Sequence, residues 1–201
     1  MTIVSIRATH GAGKSSIVTK IMDKYGADPV EVAAPGQAKF KVVGYHVLLP
    51  GGAGQRPLFI VGPYKTACGG CDAIQPYSDI LPLVRKYADR GWHVLLEGAL
   101  VSSSYGSVGH LLNEYAPDSV FAFLDTPLEE CLARIARRRA AKGNFEPVNP
   151  KNTTVKFENV ARTKDQMARL GSAVRIVDLD HRAPVKGVLK LFGVNLREEP
   201  K

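Results

Sequence analysis

Ile3-Val4-Ser5-Ile6-Arg7 runs directly into Ala8-Thr9-His10-Gly11-Ala12-Gly13-Lys14-Ser15-Ser16, and no other stretch of the 201 residues restricts the fold so sharply. The short apolar run reads as a buried strand and the glycines as a turn. Ile17, Val18, Ile21 and Met22 then recur as the inner face of a helix. Strand, glycine turn and helix in that order, with Gly-Lys-Ser at the junction, make a phosphate-binding loop. In its full form, G-x-x-x-x-G-K-[ST], backbone amides cradle phosphates, the lysine reaches the β and γ phosphates, and the hydroxyl holds Mg²⁺. Ala8 stands where the full pattern has its first glycine. Alanine is small but resists positive φ, so the match is one residue short while its context is complete. Thr9, His10, Gly11, Ala12, Gly13, Lys14, Ser15 and Ser16 are therefore the expected nucleotide-binding residues.

The rest of the chain alternates in the way such a loop requires. Phe40–Leu49 and Leu58–Tyr64 read as two extended segments joined by a turn through Gly51-Gly52-Ala53-Gly54. Helical spacing covers Tyr77–Asp89, Val108–Tyr115, Pro127–Ala141, Val155–Leu170 and Pro184–Phe192. Apolar strands fall at Trp92–Leu96, Ser119–Leu124 and Arg175–Leu179. Asp28-Pro29, Ala34-Pro35-Gly36 and Asn144–Asn152 read as loops. Strands separated by helices predict an α/β fold of the P-loop NTPase type, a parallel sheet with helices on both faces, in a single domain spanning residues 1–201. No apolar run reaches the roughly 20 residues of a membrane span and no secretory signal is evident, so a cytoplasmic protein is expected.

Cys68-Gly69-Gly70-Cys71 invites a zinc or redox reading. No second pair follows it, and the histidines show no ligand spacing around it, so neither reading is favoured. Charge is more informative. The chain carries a formal net charge of +8, and Arg134–Lys190 alone holds 14 Lys and Arg against 5 Asp and Glu. Such an excess suits either a polyanionic partner or a solvated helical face.

Ligands of open α/β sheets gather at the carboxyl ends of the strands, where the loop, Glu97 and the turn before Asp72 should meet. Lys14 would position the phosphates, and Ser15 would ligate Mg²⁺. Glu97 ends its strand where an acid orders Mg²⁺ directly or through water, although a strand-end acid paired with a base is the competing reading. Asp72 follows Gly69-Gly70 and is the candidate general base; a helix cap is its alternative. Arg134, Arg137 and Arg138 share a face of the Pro127–Ala141 helix. They suit its dipole, but they also suggest an arginine-bearing lid at about residues 134–153, with Arg134 and Arg138 as candidates for stabilising transferring charge. Tyr64, Tyr77 and Tyr105 either stack on a base or pack the core. A GTPase would show Asn-Lys-x-Asp, which is missing from the sequence.

Across most of its length the chain resembles the thymidylate-kinase-like P-loop kinases. Ala8–Ser16, Val61-Gly62-Pro63-Tyr64 with Gly69-Gly70-Cys71-Asp72, and Leu95-Leu96-Glu97-Gly98 look like the corresponding segments of bacteriophage 5-hydroxymethyluracil DNA kinases. The resemblance implies ATP as donor, Mg²⁺ as metal and DNA containing 5-hydroxymethyluracil as acceptor, a step in phage thymine hypermodification in the host cytoplasm. Two rivals use the same loop: a nucleoside or nucleoside-monophosphate kinase, and a nucleotide-dependent DNA-binding switch.

Overall fold

The computed structural model describes residues 1–33, 40–51, 56–64, 69–103, 105–169, 171 and 173–194. Strands β1 (Ile3–Arg7), β2 (Asp28–Ala33), β3 (Phe40–Val47), β4 (Leu58–Val61), β5 (His93–Glu97), β6 (Ser119–Leu124) and β7 (Arg175–Leu179) form one sheet in the order β2-β3-β4-β5-β1-β6-β7. From β4 to β7 every neighbouring pair is parallel, whereas β3 runs antiparallel to both β4 and β2. The β3–β4 pairing is the hairpin expected from sequence. Its tip at residues 52–55 lies outside the described residues, as do Cys68 and Leu170.

Both faces of the sheet are covered, and the period of two in each strand divides them. Val4 and Ile6 of β1, Leu95 of β5 and Val120 and Ala122 of β6 face α1 (Lys14–Tyr25) and α7 (Pro184–Leu191), which contribute Ile17, Val18, Ile21, Val188 and Leu189. Ile3, Val94, Leu96, Phe121 and Phe123 face the other way, against Ile80, Val84 and Tyr87 of α2 (Ile80–Ala88). Val101 of α3 (Ala99–Ser102), Val108, Leu111 and Leu112 of α4 (Gly106–Glu114) and Met167 of α6 (Lys151–Arg169) complete that layer. Strands buried on both faces are predominantly apolar, which is why β1, β5 and β6 stand out in the sequence despite buried Ser5, Arg7, Glu97 and Ser119.

Several elements depart from expectation. Asp28-Pro29, read as a loop, opens β2, an edge strand with five of its six residues exposed, so no apolar alternation marks it. Proline is tolerated there because an edge strand can leave one side without ladder bonds. The stretch Tyr77–Asp89 splits into a 3₁₀ turn over Tyr77–Asp79 and α2. α6 starts at Lys151, four residues before the expected Val155, because Asn149 Oδ1 accepts the Lys151 amide at 3.0 Å and Pro150 sets the first turn. α5 (Leu128–Ala140) falls where expected. Among the described residues no helix is long and apolar enough to cross a membrane.

Candidate functional site

The loop from Ala8 to Gly13 joins β1 to α1, and its geometry follows from glycine at the helix entry. Gly13 has φ +103°, a value that disfavours any side chain, and a Cβ there would stand 2.9 Å from Arg134 Nη1. No side chain caps α1, so its first amides point into a cleft of about 660 Å³. Thr9 through Ser16 all line that cleft, together with Gly69, Asp72, Glu97, Arg134 and Arg138. Uncapped amides at a helix start, assisted by the helix dipole, suit an anion.

Lys14 is buried to 7% exposure, and its ammonium donates to the carbonyls of Ala8 at 2.8 Å and Thr9 at 3.1 Å. Burial lowers its pKa, while the charges of Glu97 and Asp72 act in the opposite sense. Glu97 is 2% exposed at the end of β5, and its Oε1 accepts the Ser15 hydroxyl at 3.0 Å. Burial raises the Glu97 pKa, opposed by the Lys14 charge and the Ser15 hydrogen bond. A hydroxyl and a carboxylate in contact, beside a lysine, are the hard oxygen donors that Mg²⁺ takes, so the donor set fits the metal expected from sequence.

The Gly69-Gly70 turn brings the backbone up against the acid. A Cβ on Gly70, which has φ +78°, would lie 2.5 Å from Glu97 Oε1. Cys71 behind it is fully buried, which pushes its thiol pKa well above the usual value and leaves it a packing residue. Asp72 is exposed to the cleft, and its carboxylate accepts the amides of Ala99 at 2.6 Å and Leu100 at 3.2 Å. It therefore caps α3, a short helix that sequence periodicity could not reveal. An ionised carboxylate has about four acceptor positions, so two remain to receive a further hydroxyl.

On the opposite rim, Arg134 donates through Nη1 to Ala12 O at 2.7 Å and pairs through Nη2 with Glu130. Arg138 lies one turn further along the same side of α5 and lines the cleft. Arg139 turns away to bind Asn144 Oδ1 and Pro147 O. The α6 end of the 141–150 connection is tied to the loop twice, since Thr9 Oγ1 donates to Thr153 O at 3.3 Å and His10 Nε2 lies 2.6 Å from Lys156 Nζ, while the α5 end is tied through Arg134 to Ala12 O.

His181, which no local sequence pattern pairs with a partner, places Nδ1 2.9 Å from Asp125 Oδ1 and Nε2 3.3 Å from Glu130 Oε2. Glu130 in turn holds Arg134, so the turn after β7 is connected to the rim of the cleft. Asp125, Asp180 and His181 also place ligand atoms within 4.8 Å of one another, but both ring nitrogens of His181 already face carboxylates. His181, Arg182, Pro184 and Val185 line the cleft beside Lys20, and no local motif announces them. Arg7 was also missed. It is fully buried on the α2/α4 face of β1 over the Phe121 ring at 4.6 Å, and burial pushes its pKa down to about 10 against the opposing influence of Tyr77 and Tyr105. Tyr105 packs edge-on to Phe121 and His110, and Tyr64 packs against Tyr45, the commoner use of an aromatic.

No family model matches the chain. A gluconokinase from Sinorhizobium meliloti 1021 superimposes with a TM-score of 0.46 and 14% identity, covering 95% of this chain and 89% of its own, a loose likeness. Curated sequences are more decisive. The 5-hmdU DNA kinase of Pseudomonas phage M6 is 27% identical over 96% of this chain and its own full length. That of Delftia phage PhiW-14 is 25% identical over 84% of this chain and 65% of its own. With 36% identity to the 5-hmdU DNA kinase of Pseudomonas phage PaMx11, across 89% of this chain and 91% of that relative, the chain belongs to the 5-hmdU DNA kinase family.

Proposed function

We propose that the protein transfers the γ-phosphoryl group of ATP to the 5-hydroxymethyl oxygen of 5-hydroxymethyluracil in DNA. The observation that carries this reading is the convergence of Lys14, Ser15, Glu97 and Asp72 on one cleft, in a chain of this family. The amides of Gly11–Ser15 and the Lys14 ammonium hold the triphosphate. Ser15 and Glu97 hold Mg²⁺, which when bound offsets the charge of the transferring group. Lys20, His181, Arg182 and the apolar surface of Pro184 and Val185 offer the adenine an edge of mixed character.

Asp72 orients the acceptor. Its carboxylate, fixed by the Ala99 and Leu100 amides, accepts the hydroxymethyl O–H and takes its proton as the oxygen attacks the γ phosphorus. Arg134 and Arg138 stabilise the negative charge that spreads over the phosphoryl oxygens in flight. The segment at about 134–153, held to the loop through Arg134 and Thr153, is the lid. The basic α5–α6 region provides the surface that a polymeric substrate needs outside the nucleotide cleft. In this reading the transfer is a step in phage thymine hypermodification, carried out in the host cytoplasm.

The test is label transfer from [γ-³²P]ATP with Mg²⁺ to hydroxymethyluracil-containing DNA, to ordinary DNA, and to free nucleosides and monophosphates. Label on the modified DNA alone is the expected result. Label confined to free monophosphates would overturn the DNA acceptor, and transfer to no substrate would leave a nucleotide-dependent switch.

A further inference from the structure

Phe145 is 81% exposed, more than any other large apolar side chain described. A lone apolar residue on a surface needs no explanation, but the surroundings of this one are unusual. Its loop is built to hold it out. Arg139, one residue before the end of α5, donates to Asn144 Oδ1 at 3.3 Å and to Pro147 O at 3.4 Å, and pairs with Glu146 at 3.6 Å. The Asn144 amide bonds back to Arg139 O at 3.0 Å, and Asn144 Oδ1 accepts the Glu146 amide at 3.1 Å. Phe145 thus projects from between two residues clamped by one guanidinium.

The position of the loop gives the projection a direction. Arg138 in the cleft precedes it, and Thr153 against Thr9 follows it, so the loop arches from one side of the phosphate-binding loop to the other. Phe145 stands seven positions after Arg138, in the loop that leaves the cleft side of α5. Its setting is cationic: from Arg134 to Lys164 the chain carries 9 Lys and Arg against 2 Glu. A planar apolar ring on a pinned loop amid positive charge is chemistry that suits a polyanion with stacking faces.

We infer that Phe145 is the wedge that enters the DNA stack when the target base is drawn into the cleft, occupying the step that the base vacates. This inference rests on the DNA-kinase reading above and deepens it. A hydroxymethyl group on a stacked base cannot come within bonding distance of a triphosphate held in a cleft, so the nucleotide must swing out. Inserted apolar side chains stabilise the unstacked step on the DNA side, while Lys142, Lys151 and Arg137 hold the flanking phosphates.

The experiment compares Phe145→Ala, Phe145→Trp and the parent chain on three acceptors: duplex DNA with hydroxymethyluracil opposite adenine, the same duplex with an abasic site opposite it, and a single-stranded oligonucleotide carrying hydroxymethyluracil. Because the residue is exposed, neither substitution should affect folding, and circular dichroism checks this. For Phe145→Ala, kcat/KM on the paired duplex should fall about tenfold, with a smaller loss on the abasic duplex and none in the KM for ATP. Phe145→Trp should restore the rate. Fluorescence of 2-aminopurine placed beside the target base should rise on binding of the parent and not of Phe145→Ala.

An unchanged rate on the paired duplex would overturn the wedge while leaving the DNA-kinase reading intact. An equal loss on all three acceptors, or a raised KM for ATP, would move Phe145 to the nucleotide side and overturn it as well. A parent chain that phosphorylates none of the three would remove the DNA-kinase reading and the wedge together.

Discussion

The two walls of the cleft are made differently. The rear wall, at the carboxyl ends of β1 and β5, keeps its charges buried, with Lys14 at 7% and Glu97 at 2% exposure and each bonded to the phosphate-binding loop. The front wall is the α5–α6 arm. It carries its charges in solvent and touches the loop at a few points: Arg134 on Ala12, Thr153 on Thr9 and Lys156 on His10. Buried charges with fixed partners are preorganised and undergo little rearrangement during a reaction. Exposed charges are screened and adaptable, a property suited to gripping a substrate that comes and goes. The rear wall should therefore govern the chemical step, and the arm should govern affinity and approach.

Substitutions in the rear wall should have the largest effects. Lys14→Ala should lower kcat by about 10³-fold or more, since it removes the buried cation facing the phosphates. Retained binding of modified DNA, measured by fluorescence anisotropy, would show that the loss is chemical. Equal loss of DNA binding would break the division between the walls. Asp72→Asn follows, with an expected fall of about 10²–10⁴-fold in kcat. Asp72 also caps α3, so this variant should lose about 1 kcal/mol of stability in urea titration. If the stability change appears without the rate change, Asp72 is a cap only.

The same division explains what the sequence made legible. Rear-wall elements are buried on both faces, so β1, β5 and β6 appear as continuous apolar runs ending in Arg7, Glu97 and Leu124. Lys14, Ser15 and Glu97 could be read because each occupies a fixed position relative to such a run. The front wall depends on contacts between segments far apart in the chain. His181 meets Asp125 and Glu130 across 56 and 51 positions, and Lys156 meets His10 across 146, distances at which no local pattern survives. β2 was hidden because its exposed edge carries no alternation, and α3 because a single turn has no period.

Effects on the arm should be smaller. Arg134→Ala removes the hydrogen bond to Ala12 and a cation at the cleft, and should lower kcat/KM for ATP about tenfold, equivalent to about 1.4 kcal/mol, with both a lower kcat and a raised KM. His181→Ala acts one step further away. It frees Glu130, which then holds Arg134 less firmly, so the KM for ATP should rise less than in Arg134→Ala, with kcat nearly unchanged. A double-mutant cycle should give less than the sum of the two, because both changes act through one guanidinium. Full additivity would show that His181 does not act through Arg134.

The smallest expected effect lies at the junction of the two walls and depends on pH. Burial lowers the His10 pKa, as do Lys156, Lys14 and Arg138, while Asp72 opposes them. With the Lys156 ammonium donating to it, Nε2 of His10 must be unprotonated. A freely exposed imidazole titrates at about 6.5, so below that value His10 takes up a proton more readily when the arm is detached than when Lys156 faces it. The contact is accordingly intact above about 6.5, and its contribution is lost as pH falls through the lower pKa of the attached state. Protection of the amides at the start of α6, taken relative to the intrinsic exchange rate at each pH, should fall a few fold below pH 6, with α1 and β5 unaffected. Lys156→Met removes the donor and one of the repelling charges, so its protection there should be lower at neutral pH and nearly flat across the same range. If the parent chain shows no such slope, His10 and Lys156 do not hold the arm to the loop.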